Sequence, residues 1–429
     1  MQISVVGTGY VGLITGVVLA DMGNHVICVD NDRAKLEMLR KGVSPIYEPG
    51  IEELLARTQA TGRLEFSDSI AAATQASDII FIAVGTPPGP DGTPDLTAVK
   101  IVAGEISKNI RKKIIIVNKS TMPVGSGDMV EKMMLDEGVD HSLFDVLSNP
   151  EFLREGCAIF DTLHPTRIVI GCKNQAAAQV LADVYKGLEA PVLITDPQSA
   201  ELIKYGANCF LATKISFINA MSRLAEASGA NISDIAKGIG LDNRIGPQFL
   251  QAGLGWGGSC LPKDVQGLIK TGEKLGYDFA LLRAVDEINN TQTGHFINRV
   301  RARLGGFAGK HIGLLGLAFK PNTDDIRDAK SLDVIKVLLA EGATVTAHDP
   351  VAAENVKKVY PQIGYAEHAE DVARGADCLI LITEWDEFRQ LNLADMKAGM
   401  KAPIFFDGRR SYSRTKAEAA GFEYYTIGS

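Results

Sequence analysis

The stretch that most narrows the fold lies at the N-terminus. Gln2 to Val6 is a short apolar run of strand character, Gly7-Thr8-Gly9-Tyr10-Val11-Gly12 comes directly after it, and Leu13 to Met22 reads as an apolar helix. His25 to Val29 is a second strand pattern, ending on Asp30, 18 residues beyond Gly12. Strand, G-x-G-x-x-G, helix, strand and acid, in that order, make a dinucleotide-binding βαβ unit. Gly7 permits the tight turn, Gly9 lets a pyrophosphate approach the backbone, and Gly12 lets helix pack on strand. The amides at the helix start receive the phosphates. A carboxylate at Asp30 accepts from a ribose 2′-hydroxyl and repels a 2′-phosphate, so NAD is expected rather than NADP.

The same α/β rhythm continues through residues 1–195, an N-terminal NAD-binding domain. Asp78 to Val84 is a strand running into Gly85-Thr86-Pro87-Pro88, and Lys113 to Asn118 one running into Lys119-Ser120-Thr121. Ligands of parallel sheets bind beyond the carboxyl ends of strands. Thr86 and Thr121 therefore face the cofactor, cap the helices that come next, or do both. Asp145 to Leu147 leads into Ser148-Asn149-Pro150-Glu151-Phe152-Leu153-Arg154-Glu155-Gly156. If this segment turns helical after Pro150, Glu151 and Glu155 share a face. They are then either functional or simply acids at a helix start.

Residues 196–304 read as a helical centre. Asp196-Pro197 is a helix-opening pair, and the pattern runs on to about Ser228 before Gly229 breaks it. So long a helix can join two domains and offer a face to a partner subunit. Lys204 and Asn208, four apart, share one side of it; they serve chemistry or form an exposed stripe. A second helical pattern spans about Phe279 to Leu304. Residues 305–429 repeat the Rossmann-like rhythm, with strands at His311–Leu315, Ala343–Ala347, Cys378–Ile382 and Ile404–Phe406. The first turn there has Gly313 and Gly316 but no three-glycine spacing, which disfavours a second dinucleotide. Lys320, Arg327 and Arg409 come after strand ends; they hold another phosphorylated ligand or are surface charge. The fold expected is α/β, with two doubly wound Rossmann-like domains joined by a long central helix and helical region.

Between the two long helices lies Gly253-Leu254-Gly255-Trp256-Gly257-Gly258-Ser259-Cys260-Leu261-Pro262-Lys263-Asp264. With a helix expected from about Val265 and Pro262 in its first turn, Cys260 stands at a helix N-terminus, where a thiolate is favoured. Lys263 pushes the same way. A lone cysteine is most often a small buried apolar residue, but four glycines and a Lys-Asp pair around this one point to a covalent nucleophile. The other five cysteines are scattered, so neither a disulfide framework nor a metal site is expected. A net charge of −8 argues against nucleic acid as the partner. The chain begins on a strand pattern and has no apolar run of membrane-spanning length, so no signal peptide, no membrane partner and a cytoplasmic setting are expected.

Taken together, GTGYVG, VGTP, KSTMPVG, SNPEFLREG, IKYGAN, NRIG, GWGGSCLPKD, GLAFK and DGRR resemble the nucleotide-sugar dehydrogenases of the UDP-glucose/GDP-mannose family over essentially the whole length. The resemblance implies NAD-dependent, four-electron oxidation of a sugar C6 alcohol to a carboxylate, with two NAD reduced. It implies UDP-glucose as substrate, with GDP-mannose or another UDP-sugar as alternatives. It places the nucleophile at Cys260, the polar groups around the C6 oxygen at Lys204, Asn208 and Asp264, acid/base work at Glu151, and Thr121 beside cofactor and water. NAD contacts fall on Gly7, Gly9, Tyr10, Val11, Gly12, Asp30, Lys35, Thr86, Thr121, Glu155, Lys263 and Arg327. Substrate contacts fall on Glu151, Phe152, Leu153, Lys204, Asn208, Phe249, Leu250, Gln251, Ala252, Gly253, Gly257, Lys320 and Arg409. Arg244 matches an arginine that reaches a neighbouring subunit's substrate, so a homodimer or higher oligomer is implied. Trp256 stands where many relatives carry a smaller aromatic ring.

Overall fold

The computed structural model describes residues 1–429. The chain divides into two compact units. One comprises Met1–Ala207 with Gln266–Gly276, and the other Asn208–Val265 with Tyr277–Ser429.

The first unit holds an eight-stranded sheet: β1 (Gln2–Val6), β2 (His25–Val29), β3 (Leu64–Ser67), β4 (Ile79–Ile82), β5 (Ile114–Asn118), β6 (Phe144–Ser148), β7 (Ile168–Gly171) and β8 (Val192–Thr195). Their order is β3-β2-β1-β4-β5-β6-β7-β8. All neighbours are parallel except β6 and β7, which meet antiparallel at Ser148 and Gly171. The first six strands adopt the dinucleotide-fold order, with its switch point between β1 and β4. Helices cover both faces, so the central strands are apolar throughout. Alternate residues serve opposite cores: Ile79 and Phe81 join Leu13, Val17 and Leu55 on one face, and Ile80 and Ile82 join Val99, Val102 and Met134 on the other.

The second unit holds a six-stranded parallel sheet: β9 (His311–Leu315), β10 (Thr344–His348), β11 (Gly364–Tyr365), β12 (Cys378–Leu381), β13 (Ile404–Asp407) and β14 (Glu423–Thr426). Its order, β11-β10-β9-β12-β13-β14, repeats that of the first six strands of the other unit. Leu314, Leu338, Phe296 and Phe406 lie in its apolar core, with the Phe296 and Phe406 rings edge to face.

One helix, Pro197–Ser228, runs unbroken for 32 residues. Asp196 accepts from the Ser199 amide at 2.8 Å and from its hydroxyl, as an N-cap does. Two further helices, Leu261–Lys274 and Ala280–Leu304, lie beyond the glycine-rich stretch. No helix is long and apolar enough to cross a membrane.

Candidate active site

In the first unit the glycine turn does what its spacing requires. Gly7 has φ +101°, and a Cβ there would lie 2.7 Å from the Ala83 carbonyl oxygen. A Cβ on Gly12 would run into the Gly7 carbonyl oxygen, whereas one on Gly9 would meet nothing within 4 Å. Gly7 and Gly12 are thus small for packing, and Gly9 leaves one flank open. The helix Tyr10–Asp21 starts directly after Gly9, with no side chain capping it and Val11 in its first turn. Asp30, at the end of β2, accepts from the Thr8 amide (2.9 Å), the Thr8 hydroxyl (2.5 Å) and the Asp32 amide (3.0 Å). The Lys35 ammonium stands 3.4 Å away. Burial pushes the Asp30 carboxyl up, but these donors and Lys35 outweigh it and hold it below the usual carboxylate range. The open flank, the uncapped helix start and the ionised acid fit a bound NAD.

Beyond the turn, the Tyr10 hydroxyl meets the carboxylate of buried Glu48 and accepts from the Gly156 amide at 2.7 Å. Burial, helped by Glu48, pushes the Tyr10 phenol far up, so it stays protonated. Glu48 also accepts from the Gly156 and Ala158 amides, each at 2.6 Å, and so ties the Glu155–Gly156 turn to the glycine-turn helix. The Thr86 hydroxyl donates to the Thr121 carbonyl at 2.9 Å. Neither threonine caps a helix: the next helices begin at Thr97 and Ser126, after Leu96 and Gly125.

The segment after Pro150 does not turn helical. Residues 149–156 are irregular and turn, and the next helix is Ala158–Leu163. Glu151 and Glu155 therefore share no helical face. Glu151 instead closes its own turn by accepting from the Leu153 amide at 2.8 Å. The turn points Glu151 at Lys204, with carboxylate and ammonium 2.8 Å apart and only 6% and 3% exposed. The Phe152 ring lies 5.5 Å below the same ammonium and carries the Arg167 guanidinium at 3.7 Å. Leu153 is half-buried and Glu155 buried.

A small cavity with room for about one water molecule is lined by Asn118, Thr121, Ser148, Glu201 and Lys204 among others. Both polar atoms of the Asn118 side chain are buried there without a protein partner. Glu201, one turn ahead of Lys204 on the same helix, accepts from the Gly125 and Gly127 amides at 2.7 and 2.9 Å and from the Ser148 hydroxyl. A further cluster is absent from the sequence expectations. Lys119, at the end of β5, is buried and donates to Asn149 at 3.0 Å; the Tyr185 hydroxyl donates to the same oxygen at 2.7 Å. Burial pushes the Lys119 ammonium down to about 8, against the pull of Glu151. Its one signal in the sequence is a lysine closing an apolar strand.

In the second unit Cys260 immediately precedes the helix Leu261–Lys274, with Pro262 in the first turn. Its carbonyl accepts from the Asp264 amide at 2.9 Å, and its sulfur is half-buried, 3.4 Å from the Ser259 hydroxyl. Asp264 is fully buried; it accepts from the Asn208 amide group at 2.6 Å and from the Lys263 ammonium at 2.5 Å. The loop before Cys260 is held by side chains on the two long helices. Asn219 accepts from the Gly253 amide at 2.9 Å, and Gln292 donates to the Gly253 carbonyl at 3.0 Å. Asn289 bonds both the amide and the carbonyl of Trp256, and the Trp256 indole donates to Ser216 at 3.0 Å. Trp256 is thus buried scaffold. Leu250 and Ala252 are buried too, Gln251 is exposed, and Phe249 takes φ +63°.

The strand-end cations of this unit differ in surroundings. Arg409 is largely buried, donates to the Ile382 carbonyl at 2.7 Å and packs on Gly253. Lys320 sits 5.4 Å from the Phe319 ring. A Cβ on Gly257 would run into the Asp328 carbonyl, and the Gly258 amide donates to the Arg327 carbonyl at 2.9 Å. The Arg327 and Arg244 guanidiniums are exposed, paired with Asp325 and Asp242 two residues away.

Two units sharing one strand order, one carrying a dinucleotide turn with a Lys-Glu pair and the other a cysteine at a helix start, define an NAD-dependent oxidoreductase of the thiol-bearing kind. Sequence models of the UDP-glucose/GDP-mannose dehydrogenase family match it in three parts: the NAD binding domain over residues 1–189, the central domain over 198–291 and the UDP binding domain over 313–414. The chain is 46% identical over 429 residues to the UDP-glucose 6-dehydrogenase YwqF of Bacillus subtilis, covering 100% of this chain and 98% of that one. It is 44% identical over 435 residues to the UDP-glucose 6-dehydrogenase of Rhizobium meliloti, covering 100% and 99%. The solved structure of a UDP-glucose dehydrogenase from Pyrobaculum islandicum superposes with a TM-score of 0.93 at 41% identity, covering 99% and 97%. The chain belongs to the UDP-glucose/GDP-mannose dehydrogenase family, and NAD is its cofactor.

Proposed function

We propose that the chain oxidises UDP-glucose at C6 to UDP-glucuronate, through intermediates bound to Cys260. What carries the reading is Cys260, a half-buried thiol at a helix N-terminus, in a chain that also holds the buried Lys204–Glu151 pair. When bound, NAD supplies the electron acceptor for each of two oxidations. The first leaves an aldehyde, which cannot be oxidised again until a nucleophile adds to it. The Cys260 sulfur adds to the carbonyl carbon, giving a thiohemiacetal. Its oxidation gives a thioester, and water releases the acid and returns the thiol. A tethered thiol acts at an effective molarity of roughly 10⁵ M or more, so the aldehyde is captured before it escapes. Each addition builds charge on the C6 oxygen. Lys204 and Asn208, one helical turn apart, donate to it. Asp264 holds Asn208 in place, and Glu151 takes the proton of the hydrolytic water.

Thr86 and Thr121 at the strand ends, with Tyr10, Lys35 and Glu155, support NAD binding. Arg409, Lys320 and the Phe249–Gly257 loop support recognition of the sugar nucleotide. Purified protein, NAD and a panel of UDP- and GDP-sugars decide the reading. UDP-glucose is expected to yield two NADH per sugar; one NADH, or none, overturns the scheme, and a better GDP-mannose rate reassigns the substrate. Cys260→Ala is expected to abolish acid formation while UDP-glucose still binds.

A second copy of this chain is the partner we assign. Phe210, Phe217 and Leu224 recur every seven residues along the long helix and are 66%, 51% and 63% exposed. Arg244, with its side chain 88% exposed, is the residue offered to the other copy. Light scattering is expected to give twice the chain mass, and a monomer at micromolar concentration would remove this assignment. Six cysteines in no disulfide suit a reducing, cytoplasmic setting.

A further inference from the structure

Lys119 is a buried lysine that C6 oxidation, as proposed, leaves without a task. Two contacts fix the place of its ammonium. It donates to the Asn149 side-chain oxygen at 3.0 Å and lies 5.7 Å from the Tyr185 ring. Asn149 is itself anchored by the Tyr185 hydroxyl at 2.7 Å and by its own donation to the Val169 carbonyl at 2.8 Å. The charged groups that act on Lys119 are Glu151, from the turn after β6, and Lys204, from the long helix.

Those two are already paired at 2.8 Å, so their charges sum to zero. A cation whose charge a carboxylate has answered is a poor match for an oxyanion. Lys119 brings the cluster to a net charge of one positive, the complement of the single negative charge that develops at C6. The ground-state alcohol carries no such charge, and only interactions stronger in the transition state speed the chemistry. Fixed charges in a dry site need no reorganisation when that state forms. Glu201, whose carboxylate two backbone amides and Ser148 hold, is not among the charged groups that act on Lys119.

We propose that Lys119 is a positioning residue of this reaction, an ammonium fixed on Asn149 that tips the Glu151–Lys204 pair to net positive and lets Lys204 answer the C6 oxyanion. The proposal rests on the C6-oxidation reading. Burial sets the ammonium at about 8, so the added charge is present below that pH and lost as pH rises through it. Three variants separate charge from hydrogen bond: Lys119→Gln keeps donation to Asn149, Lys119→Met keeps neither, and Lys119→Arg keeps both.

The pH profile of kcat is the readout, with KM for NAD and for the sugar nucleotide measured alongside. At pH 7 the Gln and Met variants are expected to lose roughly tenfold or more in kcat, as a charge removed from a nearby oxyanion implies, with both KM values within about twofold. The wild type is expected to lose rate between pH 7 and 9.5. Lys119→Arg keeps its charge throughout and is expected to lose that decline. Thermal melting and NAD titration report folding, and the Gln variant carries the test if the Met variant does not fold. Wild-type kcat in Lys119→Gln, or an unchanged alkaline decline in the Gln and Arg variants, overturns the proposal. NADH counted per sugar in the wild type tests the underlying reading separately, since the variants are compared on whichever sugar nucleotide the wild type oxidises.

Discussion

The two units share a strand order and differ in the connection that leaves the first strand. In the first, β1 gives way to Gly7, and a 12-residue helix begins at Tyr10. In the second, β9 gives way to Gly316, which has φ +92° and would meet the Thr383 amide nitrogen 2.6 Å from an added Cβ. That is the same crowding Gly7 meets at Ala83. The next helix, however, starts only at Lys330. The acid after the second strand differs in the same sense. Asp30 accepts from two backbone amides and a hydroxyl and remains beside Lys35. Asp349 is 4% exposed and accepts from the amides of Leu317, Ala318, Val351 and Ala352 and from the Trp385 indole. The second unit's acid thus also takes the Ala318 amide and the indole, and the loop after Gly316 brings Phe319, Lys320 and Arg327 where the first unit starts a helix. One strand order thus carries two different connections after its first strand.

The contrast can be broken most forcefully at Gly12. Gly12→Ala drives a Cβ into the Gly7 carbonyl and is expected to cost about 4 kcal/mol or more of first-unit stability. Gly9→Ala, with open space around it, is expected to melt like the wild type yet weaken NAD; equal melting of the two variants would refute these separate roles. Next comes Asp349→Asn, which sets an amide group against the buried donors now facing a carboxylate. It is expected to destabilise by roughly 2–3 kcal/mol, read by urea denaturation, with NAD affinity kept. Asp30→Asn is expected to do the reverse: near-normal stability, NAD binding weakened about tenfold (1.4 kcal/mol), and NADP tolerated better. If Asp349→Asn harmed NAD binding as much as Asp30→Asn does, the second unit would have to be reread as a dinucleotide site.

Much of the fold and site is legible from residues because the signals are local. The turn at Gly7–Gly12, the strands at Gln2–Val6 and His25–Val29, the Asp196-Pro197 helix start and the helix after Cys260 all depend on neighbours within a few positions. The strands Leu64–Ser67 and Val192–Thr195 are not legible in this way. Each has only four residues, on a sheet edge, too short a stretch for its pattern to tell strand from helix. The antiparallel junction of β6 and β7 is hidden too, since side-chain alternation carries no strand direction. Whether the segment after Pro150 turns helical is open in the sequence, and a carboxylate that closes its own turn decides it. Lys119 lies 30 residues before Asn149 and Asn149 36 before Tyr185, and only folding joins them.

The long helix has one more implication, for how this chain can change. Within the second unit, Asn208, Ser216, Asn219 and Glu226 each meet a different target: Asp264, Trp256, Gly253 and Gly428. Their bearings are set by counting residues along a rigid rod. One codon gained or lost between Asn208 and Ser216 would swing every later side chain by about 100°, unhooking the cysteine loop and the C-terminus together. The helix is therefore a reading frame in three dimensions, open to substitution but closed to changes of length.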